Sequence, residues 1–325
     1  MKYSKPFLRK LYTMMVRIRL FEEKLAEEVL AGNIKTPCHL YVGQEAIATG
    51  VCAALRKRDY IFGTHRSHGH FLAKGGDMKP LMAEIYGKAT GCSRGRGGSM
   101  HLVDLDHGFL GAQPLVAGTI PLAVGTALAS SIKKDHRVTV AFFGDGATEE
   151  GVFHEALNFA GIKKLPIIFI CENNFYSSHL NLKERRQNNI YKHGVMAGMP
   201  GIRIDGNDVL EVYEAAKRAV AHAKSGKGAF FIEAVTYRLK GHVGAHDNIA
   251  DQDIRDIRNP KEVEKWLRKE PIGRFEKYLK ASGAMNDLDF QKIEEVTQKE
   301  VDNAYRFAMK SPYPKPSELT KYVFS

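Results

Sequence analysis

Two polar motifs stand directly after apolar segments of the chain. Gly144-Asp145-Gly146 follows the apolar run 138–143, and Asn173-Asn174 follows the apolar run 167–171, with 26 residues between the motifs. Short continuous apolar runs are typical of strands buried on both faces, and ligands bind beyond the carboxyl ends of such strands. Because the interval suits one helix and one strand, we expect Asp145 and Asn174 on adjacent strands at one edge of a sheet.

The residue types in these motifs are those that bind a magnesium ion and a phosphate group. Asp145 offers a carboxylate, Asn174 an amide oxygen and the second loop a backbone carbonyl, and Mg2+ prefers such hard oxygens together with substrate phosphates. Gly144 and Gly146 allow a phosphate to approach the backbone closely, and a following helix offers free N–H groups. Since two anions repel, Asp145 fits this site only with a cation between it and the phosphate. The motif pair therefore predicts a magnesium-bound diphosphate rather than two ordinary turns.

The motifs and their spacing resemble the thiamine diphosphate motif. Residues 144–160 (GDGATEEGVFHEALNFA) and 165–174 (LPIIFICENN) are similar to the alpha subunits of pyruvate and acetoin dehydrogenase first components. The resemblance runs from about residue 11 to the C-terminal helices and includes residues 39–46 (HLYVGQEA) and 97–101 (GGSMH). It implies thiamine diphosphate and Mg2+ as cofactors. It also implies metal ligands and cofactor contacts at Gly144, Asp145, Gly146, Ala147, Asn174 and the carbonyl of Tyr176, of which Asp145, Asn174 and Tyr176 hold the metal.

The family's diphosphate-binding tyrosine-arginine pair falls on His65 and Arg66. A guanidinium clamps phosphate oxygens well, so Arg66 fits this role. His65 replaces the more familiar tyrosine and still offers a hydrogen bond, but its contribution becomes dependent on pH. Val116 falls on the wall of the family's cofactor pocket, whereas Pro114 departs from the common glycine, so we predict a cofactor contact at Val116 alone.

Family matches place His39 and His242 near the reactive end of the cofactor, with His242 also in contact with it. An imidazole there could orient a 2-oxo acid, stabilise oxyanion charge or pass a proton. We therefore predict His39 and His242 as catalytic residues, with His68 as a lesser candidate. By spacing alone His65, His68 and His70 could bind zinc, but no acidic partner lies nearby, and the diphosphate interpretation is favoured.

Periodicity indicates which elements position these residues. A parallel sheet covered by helices on both faces, an α/β fold, follows from the alternation of strands and helices. We predict a single diphosphate-binding domain over 1–325, with an N-terminal helical arm (about 1–35) and a C-terminal helical segment (about 260–325). The glycine- and histidine-rich stretch 62–118 is predicted as loops. The predicted helices are 6–31, 44–55, 120–132, 150–161, 209–225 and those within 260–310, and the predicted strands are 138–143, 167–171, 202–204 and 230–235.

Composition excludes several classes of protein. The chain is 44% hydrophobic and 26% charged, which suffices for a globular core. No run of eighteen apolar residues exists and the N-terminus lacks an apolar signal region, so we expect no membrane span and no secretion. Four cysteines without CxxC spacing favour reduced thiols and a cytoplasmic location. The net charge of +11 comes from basic residues spread along the chain, and we expect no nucleic-acid binding.

The sequence contains only half of a thiamine diphosphate site. Enzymes of this type activate the cofactor with a glutamate from a second α/β domain, and no such domain is found before residue 144 or after Val235. Glu45 is the one acid of interest near the start, but its place on a predicted helix favours a structural role. The resemblance implies a beta subunit in an alpha-2 beta-2 heterotetramer, with the cofactor at each alpha–beta interface. The small residues of helix 120–132 suit either subunit packing or burial within the domain.

The predicted function is to cleave or decarboxylate a short 2-oxo compound and to transfer the acyl group to the lipoyl carrier of an acyltransferase. The context of His39 resembles the pyruvate and acetoin branch rather than the branched-chain branch. Residues 243–248 (VGAHDN) stand where pyruvate dehydrogenases commonly have Ser-Met-Ser-Asp-Pro, so both pyruvate and acetoin stay open.

Three alternative functions are weighed against this prediction. The first is a carboligase that uses the same cofactor without a lipoyl partner. The second, a nucleotide-binding regulatory or scaffold protein, is disfavoured because Arg66, Asp145 and Asn174 are all present. The third, an NAD-binding Rossmann protein, is disfavoured because no GxxG follows the Gly144-Asp145-Gly146 motif.

Overall fold

The computed structural model describes residues 2–245 and 258–321. Its helices are α1 (Lys5–Leu30), α2 (Glu45–Ala53), α3 (His68–Lys74), α4 (Met78–Ile85), α5 (Thr119–Lys133), α6 (Gly151–Ile162), α7 (Leu182–Arg185), α8 (Lys192–Met196), α9 (Val209–Lys224), α10 (Pro260–Leu267), α11 (Pro271–Ala281) and α12 (Asp287–Lys310). Its strands are β1 (Tyr60–Phe62), β2 (Phe109–Gly111), β3 (Thr139–Gly144), β4 (Ile167–Asn173), β5 (Tyr176–Ser177), β6 (Leu180–Asn181), β7 (Gly201–Asp205) and β8 (Phe230–Val235). None of the described helices has the length and apolar character needed to span a membrane.

Six of these strands form one parallel sheet in the order β2-β1-β3-β4-β8-β7. The central strands β3 and β4 are buried along almost their whole length, which agrees with their continuous apolar sequences. Strands β5 and β6 form a separate antiparallel hairpin just beyond the end of β4. The predicted α/β class, with a parallel sheet at its centre, is confirmed.

Alternate side chains of β3 and β4 enter two hydrophobic clusters, one on each face of the sheet. Val140 and Ile168 lie in the cluster that includes residues of α1, α2, α3, α4, α9 and α12. Ala141 and Phe169 lie in the cluster that includes residues of α5 and α6. Because both faces are covered by helices, only the strand ends remain open to a ligand.

The prediction of loops throughout 62–118 is wrong. This stretch contains α3, α4 and β2, and the three-residue strand β1 begins just before it. Four strands were expected, and β1 and β2 raise the sheet to six. Strands of three residues are too short to show a pattern of their own, and pairing with β3 is what defines β1.

The predicted N-terminal and C-terminal helices are present and pack against each other. Helix α1 begins after Ser4, whose hydroxyl accepts from the Phe7 N–H at 3.4 Å. Helix α12 begins with a capping box in which Asn286 and Asp289 bind each other's backbone N–H groups. Residues 322–325 of the predicted C-terminal segment lie outside the described residues. The apolar stripe of α1 is buried at Leu8, Leu11, Met15, Ile18 and Leu25.

A buried carboxylate organises the glycine-rich segment that follows α4. Glu84 accepts from the N–H groups of Ser93 and Gly95, both at 2.8 Å, and from Gly97 at 2.7 Å and Gly98 at 3.2 Å. Gly98 has a φ of +58°, a backbone angle that residues with a side chain rarely adopt. The glycines here let four backbone N–H groups converge on one acid.

Candidate active site

The two predicted ligand loops leave the same edge of the sheet. Strands β3 and β4 are paired neighbours, and Gly144 lies opposite Glu172 in their register. Beyond the strand ends the loops touch, since a Cβ on Gly146 would lie 2.5 Å from the Ser177 hydroxyl oxygen. Glycine at 146 therefore permits the approach of the second loop, and Asp145 and Asn174 belong to one edge.

Asparagine side chains shape the turn after β4. The Asn174 amide oxygen accepts from the Tyr176 N–H at 3.2 Å, and the Asn173 amide oxygen accepts from the Phe175 N–H at 3.1 Å. Phe175 adopts a φ of +69° between them. The Asn174 amide nitrogen donates to Gln44 Oε1 at 3.0 Å, and this bond fixes which way the amide oxygen faces.

Asp145 is a buried carboxylate that is paired with a cation in this structure. Its side chain accepts a hydrogen bond from the Arg185 guanidinium, which also binds Glu149. Burial raises the pKa of Asp145, and the positive charge of Arg185 opposes that rise. The Asp145 backbone carbonyl accepts from Thr148 at 2.7 Å, which tightens the turn after β3. This position therefore attracts positive charge.

Arg66 is held in place by two backbone carbonyls. Its guanidinium donates to Leu40 O at 2.6 Å and to His242 O at 3.1 Å. Burial lowers the pKa of Arg66 to about 10, so the side chain remains a cation at neutral pH. Arg66 thus ties the segment containing His39 to the segment containing His242.

His39, His65 and His242 pack edge to face around one point. The distance between ring centroids is 4.5 Å for His39 and His65, 5.1 Å for His39 and His242, and 5.7 Å for His65 and His242. Burial, with Arg66 next in effect, lowers the pKa of His65 to about 3 and that of His242 to about 2. The same causes lower the pKa of His39. The three rings are therefore neutral in this structure at physiological pH.

One cavity at the carboxyl edge of the sheet contains the predicted metal-binding, cofactor-binding and catalytic residues, but the lesser candidate His68 does not line it. It opens beside α5, where Val116 is 51% exposed. Pro114, which was not predicted as a contact, also lines it. The predicted residues in the cavity wall are His39, His65, Arg66, Val116, Gly144, Asp145, Gly146, Ala147, Asn174, Tyr176 and His242.

Several residues of the site were missed by sequence reasoning. Gln44, Glu172 and Arg238 line the same cavity, and Arg185 reaches Asp145 from α7. Glu172 accepts from Tyr41 and lies 3.0 Å from His70 Nε2. Gln44 stands in a segment that resembles the family and Glu172 directly precedes Asn173, so both could have been found by their neighbours in sequence.

His68 and His70 do not join His65 in one cluster and contact other residues instead. His68 lies 3.0 Å from Glu22 through Nδ1 and 2.9 Å from Ser99 through Nε2. Within the described residues, the cluster whose spacing suits a metal ion is His39, His65 and His242, so the set His65, His68 and His70 does not assemble. Glu45 is buried, accepts from the Gly43 N–H at 3.0 Å and pairs with Arg19 at 2.6 Å, contacts that fit the structural role expected for it.

The donor set fits a magnesium ion and a diphosphate. Asp145 and Asn174, whose side chains carry the oxygens that Mg2+ prefers, line the cavity beside Gly144 and Gly146. Arg66 contributes a buried positive charge to the same wall. The pairing of Asp145 with Arg185 shows that a cation is accommodated next to this carboxylate.

Clefts of this type occur in α/β proteins that bind a phosphorylated cofactor at the carboxyl ends of parallel strands. Residues 12–317 match the family model described as the dehydrogenase E1 component, and the chain belongs to that family. Family membership makes it a component of a thiamine diphosphate-dependent oxidoreductase, which agrees with the class predicted from its motifs.

Curated relatives match the chain over nearly its whole length. The alpha subunit of acetoin:2,6-dichlorophenolindophenol oxidoreductase from Bacillus subtilis is 42% identical, over 97% of this chain and 92% of the relative. The pyruvate dehydrogenase E1 component subunit alpha of Porphyra purpurea is 40% identical, over 97% and 92%. The chloroplastic pyruvate dehydrogenase E1 component subunit alpha-3 of Arabidopsis thaliana is 39% identical, over 97% and 74%.

Proposed function

We propose that this chain is the alpha subunit of a thiamine diphosphate- and Mg2+-dependent enzyme that cleaves or decarboxylates pyruvate or acetoin. The acyl group then passes to a lipoyl carrier. This proposal rests mainly on one observation. Asp145, Asn174 and Tyr176 share one cavity with Arg66, His39 and His242. The relatives named for acetoin and for pyruvate support the substrate class.

In this proposal each side of the cleft holds a different part of the cofactor. Asp145, Asn174 and the Tyr176 carbonyl would hold Mg2+. Arg66 and His65 would bind the diphosphate, and Gly144, Gly146 and Ala147 would lie against it. Val116 would contact the cofactor from the exposed rim. When bound, thiamine diphosphate supplies the nucleophilic carbanion and the electron sink for the reaction.

His39 and His242 would act on the substrate as neutral imidazoles. Each has one N–H to donate and one lone pair to accept with. Their position beside Arg66 suits an oxo compound, because a hydrogen bond from a fixed donor stabilises negative charge that develops on its oxygen. The low pKa values mean that they donate hydrogen bonds at neutral pH without carrying positive charge.

A beta subunit would complete the site, as the subunit names of the relatives suggest. Apolar side chains are exposed on this part of the chain, with Leu115 of the cavity wall at 70% and Leu122 of α5 at 54% exposure. Phe159 and Ile162 of α6 are also exposed, and α5 packs against α6. This surface supports an alpha-2 beta-2 assembly in which the beta subunit contributes the activating glutamate. Of the small residues of helix 120–132, Ala123 and Ala127 are buried within the domain, whereas Gly125 and Ala129 are exposed and suit subunit packing.

Calorimetry of the alpha–beta complex with thiamine diphosphate and Mg2+ tests the cofactor assignment. The Asp145→Asn variant removes the carboxylate charge with little change of shape, and it is expected to abolish Mg2+-dependent cofactor binding. Asp106→Asn, at an exposed aspartate, is the matched control and should bind as the wild type does. Undiminished binding by Asp145→Asn would overturn the proposal.

The substrate and acceptor need a separate experiment. The complex is assayed with pyruvate and with acetoin, using either a lipoyl domain or 2,6-dichlorophenolindophenol as the acceptor, since a relative is named for this dye. Reduction of the lipoyl domain supports the proposed transfer. Product formation that needs neither acceptor would indicate the carboligase alternative, which the oxidoreductase and dehydrogenase names of the relatives do not favour.

Two further proposals concern the chain as a whole. It acts as one diphosphate-binding domain over 1–325, which the family match over 12–317 supports. It works in the cytoplasm, which is supported by four cysteines that remain free thiols.

Residues 246–248 of the segment compared with pyruvate dehydrogenases lie outside the described residues.

A further inference from the structure

The three histidines of the cleft form a cluster with the spacing of a metal site. One ring nitrogen from each of His39, His65 and His242 lies within 4.8 Å of the other two. Each pair of rings is also in edge-to-face contact. Small ring movements would bring three nitrogens to the distance of about 2.0–2.1 Å from a zinc ion.

His39 has an unused nitrogen in this cluster. Its side chain is 7% exposed, and its Nδ1 has no hydrogen-bond partner among the described residues. Burying a polar atom without a partner costs roughly 1–3 kcal/mol. In the tautomer protonated on Nε2, this nitrogen has a lone pair that is free to bind a metal ion.

The character of the ligands decides which ion fits. Three imidazoles suit zinc and related transition metals, whereas Mg2+ prefers oxygen ligands. Three histidines plus one water also form a known type of zinc centre with an open fourth position. The cluster is therefore chemically distinct from the oxygen donors Asp145 and Asn174 in the same cavity.

Besides burial, two cations, Arg66 and Arg238, lower the pKa of His65 and His242 and oppose a further positive charge in the cleft. The surroundings of the cleft limit this cost. The Arg66 guanidinium is fixed on the carbonyls of Leu40 and His242. The Glu172 carboxylate lines the same cavity and offsets part of the charge. The cleft is also open to water at its rim, where Leu115 and Val116 are exposed, so the charges are partly screened.

We propose that His39, His65 and His242 bind one Zn2+ ion in the cofactor-free enzyme and that this ion keeps thiamine diphosphate out of the cleft. The zinc site stands on the histidine geometry alone. Only the exclusion of the cofactor rests on the proposed function, in which His65 and Arg66 hold the diphosphate. Zinc would thus inhibit this enzyme by occupying its cofactor site.

His65 provides the discriminating variant. It stands where the family's familiar residue is tyrosine, so His65→Tyr removes one zinc ligand and restores a residue suited to the diphosphate. His136→Asn is the matched control, because His136 is an exposed histidine with a φ of +58°, a conformation that asparagine tolerates. Asp145→Asn separates the histidine site from the oxygen site.

The test is calorimetric titration of the tag-free alpha–beta complex, dialysed free of cofactor, with ZnCl2. Wild type, His136→Asn and Asp145→Asn are expected to bind one zinc ion per cleft. His65→Tyr should bind it at least about 10-fold more weakly, since losing even an outer contact of a metal site costs that much. Equal zinc affinity in wild type and His65→Tyr, or no zinc bound by wild type, overturns the site.

A second titration tests the exclusion. Each complex is incubated with one equivalent of zinc per cleft and then titrated with thiamine diphosphate and Mg2+. Zinc should weaken cofactor binding by wild type and by His136→Asn but not by His65→Tyr. Equal binding by loaded and unloaded wild type overturns the exclusion. Failure of zinc-free wild type to bind the cofactor contradicts the proposed function instead, and leaves the first titration to decide the zinc site.

Discussion

The Arg185 guanidinium is bound to the buried Asp145 carboxylate, at the position where the proposed function requires a magnesium ligand. The Arg185 side chain is only 6% exposed and also contacts Glu149. A guanidinium therefore neutralises the Asp145 carboxylate in this structure. For Asp145 to bind a metal ion through Oδ2, the oxygen that Arg185 contacts, Arg185 must move away, either with α7 or by a change of rotamer.

Arg185→Ala is the first prediction that follows from this pair. Loss of the guanidinium leaves a buried carboxylate unpaired, so the cofactor-free complex should lose about 3–5 kcal/mol of unfolding free energy. Magnesium and thiamine diphosphate should bind more tightly, since no ion pair has to be broken. Urea unfolding and calorimetry measure the two effects, and Lys183→Ala, at an exposed lysine of the same helix, is the control. Weaker cofactor binding by Arg185→Ala would show that Arg185 holds the cofactor.

Gln44 is predicted to position the Asn174 ligand without touching the metal itself. Its carbonyl oxygen accepts from the Asn174 amide at 3.0 Å, and its side chain is buried. Gln44→Ala should lower the affinity for Mg2+ with thiamine diphosphate by about 10- to 100-fold, the usual cost of losing such a supporting contact. Calorimetry on the complex measures it, with Gln291→Ala on the exposed face of α12 as the control. Unchanged affinity would mean that Asn174 needs no support from Gln44.

These contacts also show why the site could be predicted only in part. Asp145 and Asn174 follow strands whose apolar runs are visible locally, so the sheet edge they share could be inferred. Gln44 and Asn174 are 130 positions apart, and Arg185 and Asp145 are 40 apart. Neither pair belongs to one local pattern. Side-chain pairing of this kind depends on how helices dock on the sheet, which periodicity does not determine.

The strands show the same limit at the level of the backbone. Strands β3, β4, β7 and β8 were predicted to within about two residues because each is a continuous or alternating apolar segment. Strand β1 has three residues and owes its structure to pairing with β3 and β2. Its sequence, YIF, could equally end a helix or start a loop. Tertiary pairing, and not local preference, makes it a strand.

Glu22 is predicted to be a main source of stability for the site-bearing segments. Its carboxylate accepts from the Tyr41 N–H at 3.1 Å and lies 3.0 Å from His68 Nδ1, all in the buried core. Glu22→Ala leaves both partners buried and unsatisfied and should cost about 2–5 kcal/mol of unfolding free energy. Glu27→Ala, on the same helix and 71% exposed, should change it by less than about 0.5 kcal/mol. Equal values for the two variants in urea unfolding would contradict this account.

The last prediction concerns acid sensitivity, because the cleft histidines resist protonation. Burial lowers the pKa of His65 to about 3, so between about pH 6.5 and 3 the unfolded chain binds a proton there that the folded chain refuses. Stability contributed by this residue is therefore complete above about pH 6.5 and falls as the pH drops toward 3. The hydrogen bond expected from His65 should therefore change with pH only in this acid range as long as no cofactor is bound.

His65→Tyr should make the cofactor-free complex less sensitive to acid, since tyrosine takes up no proton in this range. The urea midpoint is measured at pH 7 and at pH 5 for wild type and variant, and the fall between the two pH values is compared. Wild type should lose more than His65→Tyr, and the exposed-histidine variant His136→Asn should lose as much as wild type. An equal loss for all three would mean that His65 takes up its proton with nearly the same pKa in the folded and unfolded chains, and that the cleft is more open to water than the lowered pKa of His65 indicates.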